Sequence, residues 1–220
     1  MLIIDTDPQA SVSSVLNLKP AKTLFNYLIG GLRFEDCITP AGHGIDVLCS
    51  SRETMKTETI LMGDVAREYA FVQTFGQIER GYDVILIDVS PSITLLQTCA
   101  MVYAEQIIVP VGMDMLSYQG ASAAIEAANS TNKLLRTNIR VVGVLPVMVD
   151  RRLAISATVL EGIESLCTSM HVPMLSAIRT DANVTKAARM GQFLVDYDPK
   201  TKAMDDYRVV ATELEKLLGE

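Results

Sequence analysis

Carboxylates follow two apolar segments of the sequence at positions where they could bind a metal ion. Asp5 comes directly after Leu2-Ile3-Ile4, and Asp7 lies two residues further on. Asp88 comes directly after Val84-Ile85-Leu86-Ile87 and precedes a Ser-Pro-Ser turn. In open α/β sheets ligands bind at the carboxyl ends of the strands. Carboxylates at that edge commonly hold Mg²⁺ or its water shell in nucleotide-hydrolysing enzymes.

Each acidic segment also has a purely structural interpretation. Asp88 could cap the next helix or accept backbone N–H groups in the turn that follows it. Asp7 could cap a helix whose first turn contains Pro8. The segment from Asp5 to Ser11 can satisfy both interpretations at once, and the local pattern alone leaves them open.

The rest of the chain alternates short apolar runs with longer stretches of helical periodicity. This alternation predicts an α/β fold with a mostly parallel sheet flanked by helices and buried on both faces. The predicted strands are 2–4, 45–48, 84–87, 107–109, 141–145 and a weaker one near 174–175. The predicted helices are 64–80 with Asp64 as its cap, 120–135, 154–167 and a last one whose apolar face runs from Tyr207 to Leu217.

Composition limits the class of protein. A length of 220 residues without an internal repeat or a long linker predicts one domain, residues 1–220. The formal net charge of −7 has the wrong sign for a protein that coats nucleic acid or an anionic membrane through a broad basic face. The scattered cysteines indicate neither a zinc site nor a disulfide framework. Because no apolar run reaches the roughly 18 residues that span a bilayer, we expect a soluble cytoplasmic protein.

Five segments in the same order resemble the ParA family of deviant-Walker partition ATPases (ParA/Soj/MinD). Residues 2–9 are similar to the family's switch I strand, and residues 82–92 to its Walker B strand and switch II. The remaining similar segments are 104–111, 117–120 and parts of 178–199, including Ala187, Gly191-Gln192 and Asp198-Pro199. The resemblance implies a P-loop NTPase-like fold of the SIMIBI class.

The resemblance also implies ligands and residue roles. The cofactors would be ATP and Mg²⁺, with Asp5 and Asp88 near the metal ion and its waters. Asp5 and Asp7 would be the catalytic residues, and Asp7 would position the water that attacks the γ-phosphate. The adenine would lie beside Pro146, Ile178, Arg179 and Thr180. This chain has Arg179 where many relatives carry proline.

A phosphate-binding loop of the form G-x-x-x-x-G-K-[ST] does not occur, because no lysine of the sequence follows a glycine. Such a loop cradles phosphates with backbone N–H groups and neutralises them with its lysine. In the family, this loop and its strand precede the segment that resembles residues 2–9. We therefore expect little ATP turnover and unpaired neighbours of the lost central strand. A truncated or misassigned start and a nucleotide-independent family member are both compatible with this pattern.

For function, the resemblance implies an ATP-dependent homodimer in DNA segregation that binds DNA non-specifically. A centromere-binding ParB-like protein would stimulate it, and the chain would be cytoplasmic or nucleoid-associated. Two alternatives are a pseudo-ATPase interaction module and a MinD-like membrane-cycling ATPase, although the acidic C-terminus disfavours membrane binding. The candidates for DNA contact are Arg189, Lys186 and Arg152, with Arg136, Arg140 and Arg151 as further members of a patch. Solvated helix faces would explain the same residues.

Overall fold

The computed structural model describes residues 1–76, 78, 81–92 and 94–219. These residues divide into two compact units. Unit 1 comprises Met1–Ala104 with Arg189–Gln192, and unit 2 comprises Glu105–Ala188 with Phe193–Glu220. The single domain expected from the length stays a prediction.

Six strands lie among the described residues, four in unit 1 and two in unit 2. They are β1 (Leu2–Asp5), β2 (Ile38–Gly42), β3 (Ile45–Leu48), β4 (Ile85–Asp88), β5 (Gln106–Val111) and β6 (Arg140–Pro146). In unit 1 the strand order is β2-β3-β1-β4, with β1 parallel to both β3 and β4 and with β2 antiparallel to β3. In unit 2, β5 pairs with β6 in parallel.

Helices fill the connections between the strands. They are α1 (Ser11–Val15), α2 (Leu24–Leu28), α3 (Thr54–Leu61), α4 (Ala70–Phe75), α5 (Leu95–Ala104), α6 (Met115–Leu135), α7 (Ala154–Met170), α8 (Ala182–Met190), α9 (Leu194–Tyr197) and α10 (Lys202–Leu218). The predicted α/β class with a mostly parallel sheet arrangement flanked by helices is confirmed.

Three of the predicted helices are present with longer limits. The helix predicted at 120–135 begins earlier, at Met115, because Asp114 caps it. One Asp114 oxygen accepts a hydrogen bond from the Ser117 N–H at 2.9 Å, and the other accepts one from the Ser117 hydroxyl at 2.7 Å. The helix predicted at 154–167 continues to Met170.

The helix predicted at 64–80 with an Asp64 cap is wrong in its limits and in two residues of its predicted buried face, Val65 and Val72. Ala66 adopts a left-handed conformation with φ 56°, and a single 3₁₀ turn separates it from α4. Phe71 and Phe75 face the core of unit 1, whereas Val65 is 96% exposed and Val72 41% exposed. The two buried aromatic residues, four positions apart, therefore set the orientation of α4. Residues 77, 79 and 80 lie outside the described part.

Two strand predictions also need correction. The segment near 174–175 forms only an isolated bridge from Met174 to Val144. Burial on both faces is wrong for β4, since Val84 is 47% exposed and Leu86 46% exposed. Among the described residues β4 pairs only with β1, and it therefore ends its sheet. The sequence did not predict β2, which joins β3 through a two-residue turn at His43 and Gly44, both with positive φ.

Each unit has its own apolar core. In unit 1 the β-sheet residues Leu2, Ile4 and Leu48 are fully buried together with the edge-to-face pair Phe71 and Phe75, whose ring centroids lie 4.9 Å apart. In unit 2 the core joins β5 and β6 to one face each of α6 and α7. Its most deeply buried members are Val111, Ile125, Val144 and Ile163.

Candidate functional site

Asp5 is the innermost residue of the candidate acidic site, at the end of β1. The residue is fully buried. Its Oδ1 atom accepts a hydrogen bond from the Asp7 backbone N–H at 3.0 Å, and its Oδ2 atom accepts one from the Val12 N–H at 3.3 Å. The carboxylate thus fixes the loop that follows β1 and the first turn of α1, which receives no cap from its own N-cap residue, Ala10.

Asp88 lies beside Asp5, because the two residues are register partners across the parallel β1–β4 pair. Adjacent strands lie about 4.8 Å apart, so both carboxylates leave the sheet at the same carboxyl edge. Thr6 joins the two strand ends. Its backbone N–H and its hydroxyl both donate to the Asp88 carbonyl oxygen, each at 2.9 Å.

Asp7 completes the set on the loop after β1. It is half-buried, and its Oδ1 atom accepts a hydrogen bond from the Gln9 N–H at 2.8 Å. The structural alternative in which Asp7 caps α1 is wrong, because Ala10 occupies the N-cap position. Among the described residues no hydrogen bond was found to the Asp88 carboxylate, so the helix-capping interpretation of Asp88 gains no support there.

The three acids influence one another electrostatically. The pKa of Asp5 is raised to about 6, chiefly by burial and also by the charges of Asp88 and Asp7, against the lowering effect of the two backbone N–H donors. The pKa of Asp88 is also raised, first by desolvation and then by the charge of Asp7. Mutual repulsion of this kind is relieved by a bound cation.

The donor set fits a hard divalent cation, since carboxylate oxygens are the ligands that Mg²⁺ prefers. Within the described part of the chain, however, no group of three acidic, histidine or cysteine side chains is close enough to hold a metal ion unaided.

The acidic site fits a cation but does not fit a triphosphate. The charges that shift the pKa of Asp5 are those of Asp88 and Asp7, and the charge that shifts the pKa of Asp88 is that of Asp7. All of them are negative and would repel phosphate. The sequence also contains no phosphate-binding loop whose lysine would neutralise a triphosphate.

Glu58 is a positioning residue that the sequence patterns did not reveal. Its Oε1 atom accepts a hydrogen bond from the Leu96 N–H at 3.1 Å. Glu58 lies on α3, and Leu96 lies in the first turn of α5, the helix that follows the Asp88 loop. The contact joins residues 38 positions apart, so no local motif could have indicated it.

The predicted adenine-side residues come together in unit 2. The Ile178 N–H donates to the Pro146 carbonyl at 2.9 Å, and the Val149 N–H donates to the Ile178 carbonyl at 3.0 Å. Pro146 and Ile178 are buried, whereas Arg179 and Thr180 are exposed. Of the four, Arg179 and Thr180 therefore offer surface to a ligand in this structure.

The predicted DNA-contacting residues differ in their surroundings. Arg152 makes a bidentate pair with Asp150 at 2.9 and 2.7 Å, and its side chain is 89% exposed. The Lys186 ammonium donates to the Asn183 side-chain oxygen at 3.2 Å. Arg189 lies in unit 1, in the last turn of α8. A contact with DNA stays a prediction for all three.

Comparison with known proteins identifies the family. The sequence model of one family, described as "AAA domain", matches residues 1–141. The Soj protein of Bacillus subtilis, described as a sporulation initiation inhibitor protein, is 23% identical over 97% of this chain and 85% of its own length. The chromosome partitioning protein ParA of Myxococcus xanthus is 22% identical over 98% of this chain and 77% of its own length.

Among solved structures, the ATP complex of a McdA variant from Cyanothece superposes with a TM-score of 0.84. It is 16% identical over 99% of this chain and 84% of that one, and so it shows a shared fold. The fold is therefore that of the P-loop ATPases related to ParA. The chain belongs to this AAA domain family, in its ParA/Soj/MinD branch.

One further property of the helices is relevant to the MinD-like alternative. In the described part of the chain, none of the helices combines the length and apolar character needed to cross a membrane.

Proposed function

We propose that this chain provides the magnesium- and adenine-contacting part of a ParA-type ATPase that acts in DNA segregation. The observation that carries the proposal is the convergence of Asp5, Asp7 and Asp88 at one sheet edge in unit 1. Asp5 and Asp88 would hold a magnesium ion through its waters, and Asp7 would orient water. The ion itself would supply positive charge to a bound nucleotide.

In this proposal, cation binding at the acidic site and binding of the nucleotide's phosphates are separate functions. The sequence lacks the loop whose lysine neutralises a triphosphate, and phosphoryl transfer depends mainly on positioning and charge stabilisation. We therefore propose that the 220 residues alone bind Mg²⁺ and adenine nucleotide weakly and turn ATP over far more slowly than a ParA protein that has a phosphate-binding loop.

Calorimetric titration of ATP tests the acidic site directly. Binding should require Mg²⁺ and should be lost in Asp88→Asn, whereas Asp64→Asn should bind like the wild type because Asp64 is an exposed acid outside the site. Binding that is equal with and without Mg²⁺ would remove the proposed role of the acids. ATP turnover comparable to that of the Bacillus subtilis Soj protein would refute the proposal that this chain turns ATP over slowly for want of a phosphate-binding loop.

The proposed partners follow from the family: a second copy of the chain, non-specific DNA and a centromere-binding ParB-like protein, in the cytoplasm or on the nucleoid.

For DNA, charge reversal tests the basic candidates. Arg189→Glu should weaken salt-sensitive binding to a random duplex in a fluorescence anisotropy titration. Arg33→Glu is the matched control, since Arg33 is exposed and paired only with Asp36 at 2.9 Å in the described contacts. Identical isotherms for wild type and Arg189→Glu would exclude Arg189.

A nucleotide-independent interaction module is the second candidate. It is favoured by the absence of a phosphate-binding loop from the sequence and by the exposed edge strand β4. A melting temperature that does not change with Mg²⁺ and ATP, in a protein that remains folded, would select this candidate over the first.

A further inference from the structure

Arg179 is held by a bidentate ion pair with Asp206 and by a hydrogen bond from its own backbone to the same carboxylate. Its Nε and Nη2 atoms donate to the two Asp206 oxygens at 2.6 and 2.7 Å, and its backbone N–H donates to Asp206 Oδ2 at 3.1 Å. Two parallel charge-assisted hydrogen bonds fix both the distance and the orientation of a guanidinium group. The Asp206 side chain is only 14% exposed, so this pair is better shielded from water than an ordinary surface pair.

The backbone of Arg179 belongs to a short ladder in unit 2. Arg179 bridges to Val149, with the Val149 N–H donating to the Ile178 carbonyl at 3.0 Å and the Thr180 N–H donating to the Val149 carbonyl at 3.0 Å. The segment after β6 and the segment 178–180 are therefore one structural unit. Whatever holds Arg179 in place also holds the loop after Pro146.

A second carboxylate anchors the same loop from its other end. Asp181 accepts hydrogen bonds from the Thr201 hydroxyl and from the Asn183 N–H. Thr201 precedes α10, and Asp206 lies on the same helix. The beginning of α10 thus holds the loop at residue 179 and at residue 181.

We propose that Arg179 and Asp206 are a positioning pair that fixes the adenine-side loop, and that Arg179 does not itself contact the base. The proposal rests on the proposed function, in which this loop lies beside the adenine. Asp206 restrains this residue through one hydrogen bond from the Arg179 backbone N–H and two from its guanidinium group. A loop held before binding loses less entropy when a ligand arrives.

Asp206→Asn is the informative variant, because asparagine keeps the shape but cannot accept two charge-assisted hydrogen bonds from one guanidinium. Asp205→Asn is the matched control on the same helix. Its carboxylate pairs with Arg208 at 3.0 Å and is 69% exposed. The probe is AMP, with GMP as the base control, because a nucleoside monophosphate tests base binding without demanding a phosphate cradle.

Two measurements on the 220-residue protein distinguish positioning from general stabilisation. Hydrogen exchange should become faster at the Thr180 amide in Asp206→Asn and stay unchanged in Asp205→Asn. In a ¹⁵N NMR titration, the dissociation constant for AMP should rise about tenfold in Asp206→Asn, with a smaller preference for AMP over GMP, and Asp205→Asn should match the wild type.

The outcomes separate the two proposals. If the wild type binds AMP and Asp206→Asn binds it equally well, with the same preference over GMP, the positioning pair is refuted even if the amide exchanges faster. If AMP causes shifts in the wild type that center on residues outside 146–149 and 178–181, or causes none, the placement of the adenine in the proposed function fails as well.

Discussion

At the scale of single residues, Asp5 has a buried carboxylate that also holds the following loop by accepting hydrogen bonds from its backbone. Its pKa of about 6 lies above the ordinary value of 3.8, so the folded protein binds a proton there that the unfolded chain releases. Stability from this group is therefore present below about pH 4 and is lost as the pH rises toward 6. The difference between these two pKa values corresponds to about 3 kcal/mol of unfolding free energy.

The pH dependence gives a direct prediction. In EDTA, the unfolding free energy of the wild type should fall from pH 4.5 to pH 7 more steeply than that of Asp5→Asn, as measured by urea denaturation. The comparison between the two proteins separates the effect of Asp5 from the effects of other carboxylates. One of these is Asp150, whose pKa is lowered to about 2 by Arg152, so its contribution to stability changes with pH in the opposite direction. Added Mg²⁺ should reduce the fall in the wild type, because a cation stabilises the ionised form. Parallel pH profiles for the two proteins would contradict the buried, titrating Asp5.

Ala10 provides a second prediction at this scale. It adopts a left-handed conformation with φ 54° and ψ 44°, directly after the loop that carries Asp7. A side chain in this conformation costs about 1 kcal/mol relative to glycine, so Ala10→Gly should raise the unfolding free energy by about that amount. The same substitution at Ala123, an exposed position inside α6, should lower it by about 1 kcal/mol. Destabilisation by both substitutions would mean that Ala10 is not left-handed in solution.

Residue types and spacing were enough to predict that Asp5, Asp7 and Asp88 share one sheet edge, because the carboxyl ends of parallel strands meet there. They could not predict how each acid is used. The hydrogen bond from Val12 to Asp5 and the one from Leu96 to Glu58 depend on packing between segments that are distant in sequence or on loop geometry. The pairing of Arg179 with Asp206 spans 27 residues and is equally invisible to a local motif.

At the scale of elements, the strands were predicted more accurately than the helices. Continuous apolar runs locate β1, β3, β5 and β6 to within two residues at each end, because a buried strand needs only consecutive apolar residues. Periodicity was only partly right around α4. It predicted a buried stripe of Val65, Tyr69, Val72, Phe75 and Ile78, of which Phe75 is fully buried whereas Val65 and Val72 are exposed, and it missed the buried Phe71. The edge position of β4 follows from strand pairing, which no single segment reveals.

Glu58 gives a prediction about how two helices are joined. Glu58→Ala removes the acceptor for the Leu96 N–H at the start of α5 and should lower the unfolding free energy by about 1 kcal/mol, with faster exchange of the Leu96 amide. Glu58→Gln keeps an acceptor oxygen and should lose less. Glu53→Ala is the control, since Glu53 is exposed and pairs only with Lys56 in the described contacts. Equal losses in the alanine variants of Glu58 and Glu53 would show that the cap adds nothing.

At the scale of the whole molecule, charge and motif content constrain the activity more than the fold does. The formal charge of −7 means that any DNA binding must come from a local patch, and such binding should weaken steeply with salt. The chain shares the fold of the McdA ATP complex, and the side-chain charges that shift the pKa of Asp5 are negative. The proposed function therefore depends on one property, a cation site at Asp5 and Asp88 beside Asp7.

Paramagnetic broadening by Mn²⁺ in ¹⁵N NMR spectra tests that property most directly. Substoichiometric Mn²⁺ should broaden the amides of Asp7 and Val89 first, excess Mg²⁺ should reverse the effect, and Asp88→Asn should weaken it while Asp64→Asn leaves it unchanged. Broadening that centres elsewhere on the chain, or that is the same in wild type and Asp88→Asn, would contradict a cation site at Asp5 and Asp88.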